Sequence, residues 1–448
     1  MSLTVALNTA VSGLFANQQA IAATSENVAN VNTADFTRRE ATFYTDAIPD
    51  QFAGVSVEIT RAAVDRFLQA GGYRSASEAA AASAISDALS RIDASHGAPG
   101  EKISYANALD DAFAALVAAA SNPSSLAARA DALAALDAAF AAFGRTQEAI
   151  DSEIAGAEGR LAADISRVNA LLADIHRLNA IVPDSAGAGD LLDARLAELS
   201  KLVSINVSRN DLGQAIVSAG DGTVIASAGG YAALGYAGSL LTLSAVDPDT
   251  GGTTLTNGDA GSLCAAGEVA GLLKLIGDDL PELAQLVSDR AGAVANALNS
   301  AYAQNSVVGA SAPTTDALLV SSPDGRWSVN AALLGDPSRF AIARPVGGPA
   351  GLNDGAGATA LALIGDSAAA RDVAESVALI GSAAKNAGLR AETMSAVERE
   401  ISARVASENG VNLDEELSNL ILYQRAYGAN ARVIAAVDEL WQTLLNVI

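Results

Sequence analysis

Two stretches at opposite ends of this 448-residue chain repeat their apolar residues every seven positions, and that repeat restricts the fold more than any other feature. Near the start, Leu7, Leu14, Ile21 and Val28 hold one slot of a heptad, and Leu3, Ala10, Asn17, Thr24 and Val31 hold the alternate slot. Near the finish, Leu413, Leu420, Tyr427, Ile434, Trp441 and Ile448 recur in step, with Leu417, Gln424, Ala431, Asp438 and Leu445 between them. Such a period is helical and sets both slots on one face. Two such helices at the ends of one chain can pair in antiparallel fashion. Periodicity alone leaves open the plainer reading of two amphipathic helices on a bundle.

Magnitudes bear on the first segment. Ordering a residue costs about 1–2 kcal/mol of backbone entropy, and burying a Leu or Ile side chain returns roughly 1.5–3 kcal/mol. The N-terminal repeat has few large apolar residues, and its alternate slot is small or polar. A lone two-helix pair is therefore marginal. The ends are expected to fray in the free chain and to fold where neighbouring copies cover them.

Between the ends the pattern changes several times. The run Asn27-Val28-Ala29-Asn30-Val31-Asn32-Thr33 is rich in a residue that adopts turn conformations, so it closes the first helix, which spans 1–34. Val55, Val57 and Ile59 alternate as a short strand does. Residues 76–181 read as helices, broken at Gly97-Ala98-Pro99-Gly100 and at Asn122-Pro123. Within them Leu161, Ile165, Val168, Leu171, Leu172, Ile175 and Leu178 form a bundle-type stripe. Residues 203–262 are rich in Gly, Ser and Thr, with β-like runs at Ile216-Val217 and Leu240–Leu243 and turns at Asp221-Gly222 and Asn257-Gly258. Helix returns at 267–304. Residues 305–365 hold Trp327, Val329 and a loop at Gly347-Gly348-Pro349. From 367 helix runs to the last residue, interrupted at Asn409-Gly410. The expected fold is mainly α with a β-rich middle.

Composition limits the function. Alanine dominates the apolar half of the chain and aromatics make up only 4%, which favours closely packed helices over a bulky core. The net charge of −24 removes the clustered Lys and Arg that nucleic-acid phosphates or an anionic membrane surface require. The single cysteine, Cys264, rules out an internal disulfide and has no flanking base, so it reads as a small buried side chain. His96 and His176 belong to no metal-spaced motif and read as surface or structural residues. Asp247-Pro248-Asp249-Thr250-Gly251 opens like a calcium loop, but Gly258 stands where the EF-hand needs Glu, so a polar turn is the reading. The Gly pairs at 187/189 and 220/222 lack the strand-to-helix context of a phosphate loop. Asp414-Glu415-Glu416 sit where a helix starts, and the positive end of the macrodipole accounts for them. The first basic residue is Arg38, so no signal-peptide n-region is expected, and no apolar run reaches membrane-spanning length.

Two motifs carry a resemblance. Ser25-Glu26-Asn27-Val28-Ala29-Asn30-Val31-Asn32-Thr33 resembles the N-terminal motif of flagellar rod, hook and hook-associated proteins. Its continuation Ala34-Asp35-Phe36-Thr37-Arg38-Arg39 is similar to the version found in the hook-associated protein 1 family, where a Tyr more often precedes Thr-Arg. Gly410-Val411-Asn412-Leu413-Asp414-Glu415-Glu416-Leu417, with Asn419-Leu420-Ile421 and Tyr423-Gln424-Arg425-Ala426-Tyr427, is very similar to the C-terminal signature of that family. The match covers roughly 45 residues at each end, weakens through the helical parts and Gly267–Leu273, and is poor in the middle.

The resemblance implies a hook–filament junction subunit of the bacterial flagellum, with no catalysis, cofactor or metal. It implies a coiled-coil-like axial domain made of paired terminal helices, 1–45 and 409–448. A helical bundle would come from 46–185, 267–305 and 367–408, a β-rich subdomain from 186–266, and a reduced outer domain from the irregular 306–366. Assembly would run through Leu7, Leu14, Ile21, Val28, Asn30, Asn32, Leu413, Leu417, Leu420, Tyr427, Ile434, Trp441 and Ile448. The implied partners are further copies of the chain in a ring or helical array, hook protein below, a second junction protein above, the type III export apparatus and a cytoplasmic export chaperone, with neither nucleic acid nor membrane. The implied location is extracellular, reached without a cleaved peptide. Other readings are a hook or rod subunit, a secreted hydrolase with paired carboxylates, and an adhesin that binds through residues 190–360.

Overall fold

The computed structural model describes every residue except 1–2, 34–35, 49–50, 63–64, 96–103, 238–239, 258–260, 262–263, 345–347 and 448. The first heptad segment is a helix, α1 (Leu3–Ala29), and Asn27–Thr33 close it in a hydrogen-bonded turn. A two-stranded hairpin follows, β1 (Arg39–Ile48) and β2 (Gln51–Arg61). Three helices come next: α2 (Arg66–Ser95), α3 (Tyr105–Ser121) and the long α4 (Leu126–Ile181). The chain turns between α3 and α4 at Asn122-Pro123, where Pro denies a helical amide. His96 and the Gly97–Gly100 break lie outside the described residues.

After α5 (Ala186–Leu202) the middle is a β-meander of β3 (Ile205–Arg209), β4 (Ala215–Ala219), β5 (Val224–Ser227), β6 (Gly230–Ala237), β7 (Leu240–Val246) and β8 (Thr253–Asn257). Each strand pairs antiparallel with the next, giving one six-stranded sheet in chain order. Helix resumes as α6 (Glu268–Lys274) and, after a π-turn, α7 (Leu280–Tyr302). A small hairpin of β9 (Leu319–Ser321) and β10 (Trp327–Val329) and two short helices, α8 (Ala331–Gly335) and α9 (Ala356–Ala362), lead to α10 (Ala368–Asn409). The last helix, α11 (Leu413–Val447), starts after the Asn409-Gly410 interruption. The fold is mainly α with a β-rich middle, as the sequence pattern requires.

Two compact units form from non-contiguous pieces. The first comprises Met1–Ser77, Arg167–Ala265 and Ser395–Ile448; the second comprises Glu78–Ser166 and Ala266–Met394. In the first, the sheet lies on the end of α4 and on α5, with Ile205, Ala215, Val217, Leu234, Leu241 and Leu243 buried. Asn169 donates to the Leu234 carbonyl and accepts from its amide, and Asn179 does the same for Ala215. Each side-chain amide stands in for a neighbouring strand. His176 adds a 2.8 Å bond from Nδ1 to the Ser227 carbonyl, a structural role. Cys264 is buried and desolvation pushes its thiol up to about 12, which keeps it protonated and unreactive. The Asp247 segment is a polar turn in which the carboxylate accepts from the Asp249 and Thr250 amides and the Thr250 hydroxyl.

The second unit is a bundle. Tyr105 stacks on Phe143 at 4.4 Å and shares a 2.8 Å hydrogen bond with Ser376, while Tyr302 stacks on Phe340. Helices approach closely where side chains are smallest: a Cβ at Gly271 of α6 would lie 2.7 Å from the Ala81 carbonyl oxygen of α2. Asn299 clamps β9 by the same two-way device, on the amide and carbonyl of Leu319.

Candidate functional site: the paired chain ends

The two ends of the chain meet. A Cβ at Gly13 would stand 2.8 Å from Asn430 Nδ2, and Asn27 donates to Glu416 at 3.0 Å. From Gly13 to Asn27 the chain advances fourteen residues, and from Asn430 to Glu416 it goes back fourteen, so α1 and α11 run antiparallel in one register. That register sets Ala20 against Tyr423 and Ala6 against Val437.

On α1 the seam follows the small alternate slot of the repeat and not its large apolar slot. Ala10, Gly13, Ala16, Asn17, Ala20, Ala23, Thr24 and Asn27 are the buried residues of α1, and Leu7, Leu14, Ile21 and Val28 flank them half-buried. Among the described residues of α11 only Glu416 and Val437 are buried; Leu420 and Ile434 are half-buried. Leu413, Leu417, Tyr427 and Trp441 keep 37–47% of their surface in solvent. The reason is steric: small side chains let two helices approach closely, so the stripe that looks weakest in sequence makes the contact. Phe15, Ile421, Leu422, Val433, Leu440 and Leu445 are also exposed, so the pair carries an apolar surface that the chain itself does not cover. Of the remaining expected assembly residues, Asn30 donates to the Glu26 carbonyl, Asn32 is exposed, and Ile448 lies outside the described residues.

A polar cluster seals the base of the pair. Asn27, fully buried, donates to the Arg39 carbonyl and accepts from the Arg39 amide, at 2.9 and 2.7 Å. Its amide also reaches Glu416, whose other oxygen takes Arg38 Nε at 2.7 Å. Arg38 Nη1 reaches Glu415 as well. Arg39, buried, turns the other way: it pairs with Asp190 on α5, lies 3.6 Å from Glu26, and sits over the Phe36 ring. Arg61, at the end of β2, bridges Asp190 and Asp193 and donates to Thr37. Arg209 on β3 pairs with Asp193. Two adjacent arginines thus tie α11 on one side and α5 on the other, and the hairpin between them rests on α1 through Val55 N–H to Ser12 Oγ at 3.1 Å. The Phe43 ring meets Tyr423 at 5.8 Å.

The helix-dipole account of Asp414-Glu415-Glu416 is therefore incomplete. All three lie in the first turn of α11, but Glu416 is 2% exposed and has specific partners, whereas Glu415 is more than half exposed. Asn27, Arg39 and Glu416 were missed as site residues because their partners lie far away in sequence, 389 positions for Asn27 and Glu416. One signal was available: Asn27 falls on the small-residue line Ala6, Gly13, Ala20.

A cleft of about 540 Å³ beside this cluster is lined by Asn30, Phe36, Tyr73, Glu198, Lys201 and Val405, with Asp193 at its wall. Asp193 is ion-paired with Arg61 and Arg209, and Glu198 with Arg167. Among the described residues, no group of His, Cys, Asp and Glu is placed to hold a metal ion, and no helix is long and apolar enough to cross a membrane.

Three family models match the sequence. The model of the flagellar hook-associated protein FlgK helical domain matches residues 89–311. That of the flagellar basal body rod FlgEFG protein C-terminal region matches 406–447, and that of the flagella basal body rod protein matches 7–37. Among solved structures, the chain is similar to the flagellar hook junction protein FlgK from Burkholderia pseudomallei. The identity is 18% and the TM-score 0.48, over 56% of this chain and 47% of that one. This chain thus spans about half the length of that relative. No curated protein sequence matches it significantly.

Proposed function

Because the chain belongs to the flagellar hook-associated protein family, we propose that it is a non-catalytic junction subunit that joins hook to filament and self-assembles through its paired ends. The observation that carries this reading is the uncovered apolar surface of the α1–α11 pair, which includes Leu413, Leu417, Ile421, Leu422, Tyr427, Val433, Leu440, Trp441 and Leu445. Exposed large apolar residues in this number on one helix pair mark an interaction surface. Copies of the chain, arranged as a tubular layer, bury that surface and use Leu7, Leu14, Ile21, Val28, Asn30 and Asn32 at the same contacts. The axial domain comprises 1–45 and 409–448. Hook protein below, a second junction protein above, passage through the type III export apparatus and an export chaperone complete the partners, and the location is extracellular.

A hook or rod subunit is the second reading, favoured by the rod-family matches at both ends. The helical-domain match over 89–311 supports the junction reading instead. Leu417→Asp and Tyr427→Asp test the assembly surface. Leu417 and Tyr427 are 47% and 37% exposed, so the free chain should still fold while flagella stop at the bare hook. Normal filaments from either variant would overturn the proposal.

A further inference from the structure

We propose that Glu416, held between Asn27 and Arg38, is the positioning residue that fixes the register of the α1–α11 pair. Seven-residue repeats of small side chains do not set a register by themselves, because a shift of one heptad replaces like with like. On α1, Ala6, Gly13 and Ala20 lie on one line at that spacing; a Cβ at Gly13 would stand 2.8 Å from Asn430 Nδ2, the end of a side chain that can turn aside, so steric contact alone only weakly opposes Asn430 facing Ala6. The tether does not fix the register either. Leu413, Asp414, Glu415, Leu417 and Ser418 are all exposed, so unwinding the first two turns of α11 would supply the slack for a slip that brings residue 430 opposite Ala6. Within those two turns Glu416 alone is buried. In the slipped pair it leaves its pocket, and Asn27 and Arg38 lose the carboxylate they share at 3.0 and 2.7 Å. A buried charged contact between the two helices is the kind of feature that specifies register. The inference rests on the helix pair alone, and holds whether or not the chain builds a flagellum.

Disulfide trapping in the full chain tests it, since trapping accumulates even a briefly populated pair. With Cys264→Ala as background, Asn430→Cys is combined either with Gly13→Cys, which reports the observed register, or with Ala6→Cys, which reports the slipped one. The 13–430 disulfide should form at least about tenfold more readily than 6–430, the discrimination that one charge-assisted buried hydrogen bond supplies. Glu416→Met should bring the two yields close to each other, Glu416→Gln should fall between because the amide oxygen still accepts, and Glu415→Ala should behave as the parent does. A Glu416→Met chain that keeps the parental preference overturns the inference. So does a Glu415→Ala chain that loses it, since the helix end as a whole would then set the register. Equal trapping of both pairs in the parent also overturns it. Loss of stability alone does not change which pair is trapped, so this readout separates positioning from general support.

Discussion

Replacing Glu416 and its neighbour Glu415 with Ala, one at a time, separates two accounts of the start of α11. Both side chains lie in the first helical turn, so the macrodipole acts on both and contributes about 0.3–1 kcal/mol to each. If that were the whole effect, the two losses would be equal. The partners differ, however. Glu415 makes one ion pair with Arg38 and is 57% exposed, a pair worth at most about 1 kcal/mol. Glu416 is 2% exposed and accepts from Asn27 and Arg38. Breaking a fully buried ion pair costs about 3–5 kcal/mol. Arg38 is one-quarter exposed and keeps Glu415, and Asn27 keeps the Arg39 backbone, so about 2–3 kcal/mol is expected for Glu416→Ala. The chain has two tryptophans, and Trp327→Phe leaves Trp441 on α11 as the reporter. In a urea titration followed by its fluorescence, a difference of this size shifts the midpoint by roughly 1 M, given a slope of about 1–3 kcal/mol per molar. Equal midpoints for Glu415→Ala and Glu416→Ala would refute the buried-cluster account and restore the dipole as the explanation.

Two further outcomes concern the second unit. Gly271→Ala puts a methyl 2.7 Å from the Ala81 carbonyl oxygen, and backbone cannot yield as a side chain can; a loss of about 1–3 kcal/mol is expected, seen as a lower thermal midpoint of that unit. Desolvation, reinforced by the charge of Glu268, raises the Asp164 carboxyl to about 6. A folded-state value above the unfolded one means that the folded form holds the proton more tightly between about pH 4 and 6; stability therefore falls as pH rises through that window, and the penalty persists above it. Asp164 is partly exposed, so screening limits the effect to about 1 kcal/mol. Asp164→Asn should raise the thermal midpoint at pH 8 and leave it unchanged near pH 4, and a gain of equal size at both values would contradict the assignment.

The order of helix, sheet and helix was legible in the sequence because periodicity reports which face of an element is buried. The stripe from Leu161 to Leu178 shows this: all seven of its residues are buried. The start of α2 was not legible. The pattern starts the helix at 76, yet it runs from Arg66 through Gly71-Gly72. The first strand of the early hairpin was missed as well, since β1 carries no clean alternation of apolar and polar residues. The α1–α11 seam was legible only in its alternate slot, Ala10, Asn17 and Thr24, for a physical reason. Large apolar residues dominate any reading by hydrophobicity, whereas close helix approach selects Ala, Gly, Thr and Asn. The polar cluster was beyond reach, since its members lie on six separate segments and only the folded chain brings Asn27, Arg38, Arg39, Arg61 and Arg209 to Asp190, Asp193 and Glu416. What the motif did preserve was position: Asn27 and Arg38-Arg39 stand within the N-terminal signature and Glu416 within the C-terminal one.

Immunogold labelling of purified flagella, with antibody raised against the six-stranded sheet region, tests the central claim most directly. A junction subunit gives label in one narrow band at the distal end of the hook. Label along the whole hook, along the rod, or absent from the flagellum would contradict it.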